Sequence, residues 1–126
     1  MAGRRGAVTR SRAAWGVMAF LSLGVALYAA GVYALLPIGA AVHPDMRAGF
    51  QAHPIGVYLH VFGAFFALAL GPFQFLGRLR GRHPRVHRWM GRAYLLFGVL
   101  VGGLAGLYLS QFAHGGPVAK LGWTTA

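Results

Sequence analysis

Three uncharged apolar runs, each long enough to cross a lipid bilayer, constrain this chain more than any other feature. They are AAWGVMAFLSLGVALYAAGVYALL (13–36), IGVYLHVFGAFFALALGPFQFL (55–76) and AYLLFGVLVGGLAGLYLSQF (93–112). At about 1.5 Å of rise per residue, about twenty helical residues span the roughly 30 Å hydrocarbon core of a bilayer. The sequence therefore predicts an all-α fold: a transmembrane helical bundle of three membrane-spanning helices with short loops.

A soluble domain is excluded because three such runs in 126 residues leave no polar surface to face water. We predict a basic N-terminal segment, residues 1–12, and a single transmembrane domain, residues 13–126. The first run is longer than the roughly 7–15 apolar residues of a signal peptide and lacks a small-residue cleavage site after it, so we expect an uncleaved helix. Pro54 and Pro84 predict where the second and third helices begin, because the first helical turn tolerates a missing N–H.

The distribution of arginine predicts the orientation of the helices. The chain has twelve Lys and Arg residues and one acid, Asp45, so its net charge is +11. Most arginines lie before the first run or between the second and third runs: Arg4, Arg5, Arg10, Arg12, Arg78, Arg80, Arg82, Arg85, Arg88 and Arg92. Because basic residues in short loops stay on the cytoplasmic side, we expect the N-terminus and the 78–92 segment in the cytoplasm. The expected location is the cytoplasmic (inner) membrane of a bacterium.

The segment RGRHPRVHRWMGRAY, residues 80–94, combines positive charge with aromatic and histidine side chains. Nucleic-acid binding needs a similar composition. Here, however, the charge lies in the short connection between two membrane spans, and no recognition module surrounds it. We therefore predict no nucleic-acid binding, and no metal site, since chelation by His83 and His87 would need helix across Pro84. We expect contacts with anionic lipid headgroups, each worth about 1 kcal/mol, and an interfacial anchor at Trp89. The arginines expected to make these contacts are Arg78, Arg80, Arg82, Arg85, Arg88 and Arg92.

Small residues form a pattern in the second and third runs. Gly98, Gly102 and Gly106 recur at every fourth position, and Gly71 shares a helix face with His60. In lipid, small residues let helices approach closely and associate. We expect these four glycines to pack helices, within the chain, in a homo-oligomer or against partner membrane helices. The alternative is that a flat cofactor packs against the bare backbone.

The six histidines are the candidate ligands, since the chain has no cysteine and one aspartate. His60 is the one clearly inside a run, where an imidazole without a partner is costly. About 24 Å of helix separates His60 from the far surface, so His60 and His87 cannot share one metal. Two interpretations stay open. His60 either hydrogen-bonds across helices or ligates a b-type haem with His114 or His53, and His87 would then serve a second haem level on the opposite side.

No catalytic constellation is visible in the sequence. It contains no nucleophile–base pair, no paired carboxylates and no phosphate-binding glycine loop. We therefore predict an integral membrane protein with a helix-packing or interaction role and no enzymatic activity. The alternative is a b-type haem electron-transfer protein. A small transporter subunit comes third, because His60 is the only ionisable group in the spans that could couple to an ion.

The string LHVFGAFFALALGPFQFLGRLRGRHPRVHRWMGRAYLL, residues 59–96, resembles the bacterial predicted membrane proteins of the domain of unknown function 2306, as do GGLAGLYLS and AHGGPVAKLGW after it. The resemblance implies a multi-helix membrane protein without an established activity. Members usually continue with another helix and a second HR.WM.R-like segment, so we expect this chain to be C-terminally truncated and His87 to lack its partner. The resemblance singles out the following residues, without a proven role for any: His60, Gly71, Pro72, Gln74, His87, Arg88, Gly91, Arg92 and Tyr94.

Overall fold

The helices of this chain follow one another with short connections. In a computed structural model, the structure describes residues 2–112 and 116–117, with side chains from residue 12 onward. The helices are α1 (Ala2–Leu35), α2 (Pro44–Ala52), α3 (Pro54–Gln74), α4 (Gly77–Arg82) and α5 (Pro84–Ala93). The last of these continues into a π-helical segment (Tyr94–Gly102) and then into α6 (Gly103–Ser110).

Three helical stretches are long and apolar enough to cross a membrane. They are Arg12–Leu35 within α1, Pro54–Gln74, which is α3, and Pro84–Ser110, called here the third span. The predicted all-α fold with three spanning helices is confirmed. The predicted starts at Pro54 and Pro84 are also confirmed, since each proline occupies the first turn of its helix.

α3 is the central helix, and both α1 and the third span pack mainly on it rather than on each other. Near the start of the spanning part of α1, the indole N–H of Trp15 donates a hydrogen bond of 2.7 Å to the carbonyl oxygen of Pro72, and the ring lies edge-on to Phe73. At the other end, Tyr33 lies edge-on to Tyr58, with 6.4 Å between ring centroids. These contacts fix the spanning part of α1 against α3 near both of its ends.

The face of α1 that meets α3 is made of small residues. Ala19 and Ala26 are buried on it, while large apolar side chains such as Phe20 and Leu35 point outward and are exposed. In water such exposure would be costly, but a helix surface of this kind is stable against lipid tails. The arrangement is therefore that of a membrane protein, with small residues inside and large apolar ones outside.

The closest helix contact joins α3 to the third span. A Cβ added to Gly102 would lie 3.0 Å from the Cα of Gly63, and one added to Gly98 would lie 3.0 Å from the Cβ of Ala67. The backbones therefore touch without side chains between them. The π-helical segment contains both Gly98 and Gly102. A π-helix of nine residues is unusual, because most π-helices are single-turn bulges. Such bulges frequently lie at functional sites.

Candidate functional site

His60 lies on α3 and faces the third span. Its Nδ1 atom is 2.9 Å from the carbonyl oxygen of Gly102. A carbonyl oxygen only accepts hydrogen bonds, so Nδ1 is the donor in this contact and Nε2 takes no part in it. The ring packs on Gly106, where an added Cβ would lie 3.0 Å from Nδ1. The third span thus provides His60 with both an acceptor and the space for its ring.

The other proposed ligands are placed elsewhere. His53, between α2 and α3, shares a hydrogen bond of 3.0 Å with the Tyr108 hydroxyl and stacks on Phe112 at 3.7 Å between centroids. His114 lies outside the described residues. A groove of about 460 Å³ beside His53 and Tyr108 is lined mostly by apolar side chains, and His60 is not part of its lining. Within the described residues, no group of three or more His and acidic side chains gathers where it could hold a metal ion.

A second polar cluster lies where the last turn of α3 meets α5. The Oε1 atom of Gln74 is 3.4 Å from the position of an added Cβ on Gly91, and the ring of Tyr94 is 3.5 Å from that of an added Cβ on Gly71. His87 lies one turn before Gly91 on α5. We call these five residues the Gln74–His87 cluster. All of them belong to the string that carries the family resemblance. The fold pairs Gln74 with Gly91 and Tyr94 with Gly71, and His87 lies one turn from Gly91 on the same helix.

Two atoms of the Gln74–His87 cluster are buried without a hydrogen bond. They are Nε2 of Gln74 and Nδ1 of His87, neither of which finds a partner among the described residues. An unsatisfied buried polar atom costs about 1–3 kcal/mol, and native structures keep few of them. A polar group that reached these atoms would therefore gain more here than at an ordinary surface position.

The arginines of α4 and α5 form an exposed basic surface. The guanidinium of Arg92 lies 5.0 Å from the Trp89 ring centroid, and the Nε of Arg88 donates to the Pro84 carbonyl oxygen at 3.4 Å. Trp89 itself is largely exposed. The one acid of the sequence, Asp45, lies beside His43 on the other side of the spans. Within α4 and α5, the exposed arginines without a nearby carboxylate side chain are Arg78, Arg80, Arg82, Arg85, Arg88 and Arg92.

The structure adds residues that the sequence analysis did not single out. Gly63 meets Gly102, and Trp15 fixes the start of the spanning part of α1 on Pro72. The signal for Gly63 was its place four residues before Ala67, which is the small-residue spacing of a helix interface. Trp15 could not be assigned in this way, since a tryptophan near a span end is equally typical of an interfacial anchor.

Comparisons with known proteins also indicate a membrane protein. The family model described as a predicted membrane protein (DUF2306) matches residues 57–126, which is more than half of the chain. No curated protein and no solved structure matches. The matched part contains His60, the whole Gln74–His87 cluster and the arginines of α4 and α5. The resemblance noted in the sequence is therefore confirmed, and the chain belongs to the DUF2306 family of predicted membrane proteins.

Proposed function

We propose that this membrane protein acts as an interaction module that binds further transmembrane helices and has no enzymatic activity. The observation that carries the proposal is the free face of α1. Gly16, Gly24 and Gly31 share one broad face, because at about 3.6 residues per turn their spacings of eight and seven residues keep them within an arc of roughly 80°. Among the described residues, nothing lies within 4 Å of a Cβ added at any of the three. Small residues on a lipid-facing surface suit close contact with another helix.

The glycines of the third span do not offer a comparable surface. Gly98 lies against Ala67, Gly102 against Gly63, and Gly106 against His60. α3 of the same chain therefore fills this face, and a partner helix would have to displace it. We therefore propose that the partner helix binds to α1. The partner to be tested is a second copy of this chain.

Leucine at Gly24 is expected to weaken self-association in bilayers at least about tenfold, because the added side chain separates the two helices. The measurement is resonance energy transfer between two labelled populations in vesicles, as a function of the protein-to-lipid ratio. The matched control is Gly103→Leu, since an added Cβ at Gly103 also meets nothing among the described residues. Energy transfer that is absent in the native protein, or lost equally in both variants, would contradict the proposal.

We further propose that the protein lies in the bacterial cytoplasmic membrane, with its N-terminus and α4–α5 in the cytoplasm. Arg12 and the arginines of α4 and α5 lie at one end of the spans, called here the arginine-rich end. The connection that contains α2 lies at the other end, and Arg47 is its single Lys or Arg residue. Basic residues in short loops are retained in the cytoplasm, which supports this orientation.

Single cysteines test this orientation, because the native chain contains none. Ala48→Cys on α2 is expected to react with an impermeant maleimide in intact spheroplasts. Gly81→Cys on α4 should react only after the membrane is permeabilised. Both positions are exposed or open, so neither substitution disturbs packing. The reverse labelling pattern would show that the orientation is inverted.

A b-type haem electron-transfer protein is the second candidate function, and one observation favours it. Donation from Nδ1 to a backbone carbonyl is the arrangement that orients metal-ligating histidines, because it leaves Nε2 free to bind a metal. Glycine at 102 and 106 leaves the backbone beside the ring bare. Bound haem iron would supply one-electron chemistry, and His60 would hold it through Nε2.

A further inference from the structure

A groove of about 520 Å³ lies at the arginine-rich end, between α1 and the corner where α3 turns into α4. The residues that line it include Arg12, Trp15, Met18, Phe75, Leu76 and Gly77. Its walls are therefore mostly apolar, and one cationic side chain stands among them. Neither the free face of α1, with Gly16, Gly24 and Gly31, nor the Gln74–His87 cluster is part of this groove.

The electrostatics of the groove are strictly positive. Arg12 is the one charged residue among the described ones that line it, and Arg78 and Arg80 follow it on α4 with exposed side chains. The single acid of the sequence, Asp45, lies beyond the opposite end of α1. No carboxylate side chain in the chain competes for Arg12, so its guanidinium is free to bind an external anion.

The apolar wall of the groove is held in place. The hydrogen bond from Trp15 to Pro72 and the edge-on contact with Phe73 fix the indole ring on α3. Phe75 directly follows α3 and is 74% exposed, so its ring is available to a molecule in the groove. Tryptophan is enriched at the depth where headgroups meet acyl chains. A ligand here therefore meets a cation and, less than one helical turn deeper along α1, a rigid aromatic surface.

We propose that this groove binds one anionic phospholipid of the adjoining leaflet. Its phosphate lies at Arg12, and its glycerol and upper acyl chains lie against Trp15, Met18 and Phe75. Both features are needed to select this ligand class. Free phosphate gains nothing from the apolar wall, and a zwitterionic lipid carries no net charge to complement Arg12. The proposal does not depend on association through α1.

Fluorescence of Trp15 reports directly on the occupant. The chain has three tryptophans, so the double substitution Trp89→Phe and Trp123→Phe leaves Trp15 as the sole emitter. The protein is placed in phosphatidylcholine vesicles in which a minor fraction is brominated phosphatidylglycerol or, in a parallel sample, brominated phosphatidylcholine. We expect the anionic lipid to quench Trp15 with an apparent affinity about fivefold higher, which is the contribution of one arginine near an anionic headgroup. Added inorganic phosphate should not reverse the quenching.

Substitutions distinguish this groove from general attraction to a basic surface. Arg12→Gln should bring the two brominated lipids to equal quenching, and Arg12→Lys should keep most of the preference. Arg85→Gln is the matched control, since Arg85 is exposed on α5 and does not line the groove. Equal quenching by both lipids in the protein with native Arg12, or an equal loss in Arg85→Gln and Arg12→Gln, would overturn the proposal. The first comparison remains decisive even if Arg12→Gln cannot be recovered in vesicles.

Discussion

Alanine at Gly63 is expected to destabilise the protein by about 2–3 kcal/mol, the cost of overpacking a closely packed interface. The added Cβ would overlap backbone atoms of Gly102, and it would lie 2.8 Å from the carbonyl oxygen of Phe97. Backbone atoms of a helix cannot move aside as the end of a side chain can. α3 and the third span must therefore separate along their closest contact. The free energy of unfolding in mixed micelles, followed by circular dichroism during titration with denaturing detergent, measures this loss.

Gly103→Ala provides the control beside the same contact, in α6. An added Cβ at Gly103 meets nothing within 4 Å among the described residues. Because alanine is the better helix former by up to about 1 kcal/mol, this variant should match or exceed the native stability. If Gly63→Ala were as stable as Gly103→Ala, α3 and the third span would not meet at Gly63 and Gly102.

Alanine at His60 is expected to abolish any haem absorbance of the purified protein, while alanine at His87 leaves it unchanged. His60 is the proposed ligand because its Nδ1 is occupied by Gly102 and its Nε2 is not needed as a donor. His87 lies at the arginine-rich end and has its Nδ1 buried without a partner among the described residues. The measurement is a reduced-minus-oxidised optical spectrum after haem-supplemented expression. We expect at most one low-spin haem per chain.

A colourless native protein from this expression would refute the haem proposal and leave the packing role of His60. That role has its own readout. Loss of the hydrogen bond to Gly102 is expected to cost about 0.6 kcal/mol, the average for hydrogen bonds between membrane helices, and at most about 1.7 kcal/mol. Asparagine at position 60 serves as the control for polarity, because its amide can donate but its shorter side chain does not fill the space beside Gly106.

The Gln74–His87 cluster shows how far sequence similarity reaches. The family string marks Gly71, Gln74, His87, Gly91 and Tyr94 as a set, but it does not say which of them touch. The structure places Gln74 against Gly91 and Tyr94 near Gly71. It also shows the two buried atoms without partners, which no pattern of letters could reveal, because burial of a single nitrogen depends on side-chain packing from two helices.

The sequence by itself determined the fold class, the number of spans and the starts of α3 and α5. These follow from local physics. A backbone in lipid must satisfy its own hydrogen bonds. A single uncharged run of about twenty residues does so within itself only as a helix. A proline at the start of such a run fixes the first turn, as Pro54 and Pro84 do.

Only the tertiary structure decided which faces of the helices meet. The spacing of Gly98, Gly102 and Gly106 indicated a close contact, and α3 proved to be the partner, through Ala67, Gly63 and His60. Among the described residues, added Cβ atoms at Gly16, Gly24 and Gly31 of α1 meet no neighbour within 4 Å. In water the apolar face of a helix is the inner face, so periodicity identifies it. In lipid both faces are apolar, and packing and hydrogen bonds choose between them. Those interactions exist only between helices, and a single run of sequence does not contain them.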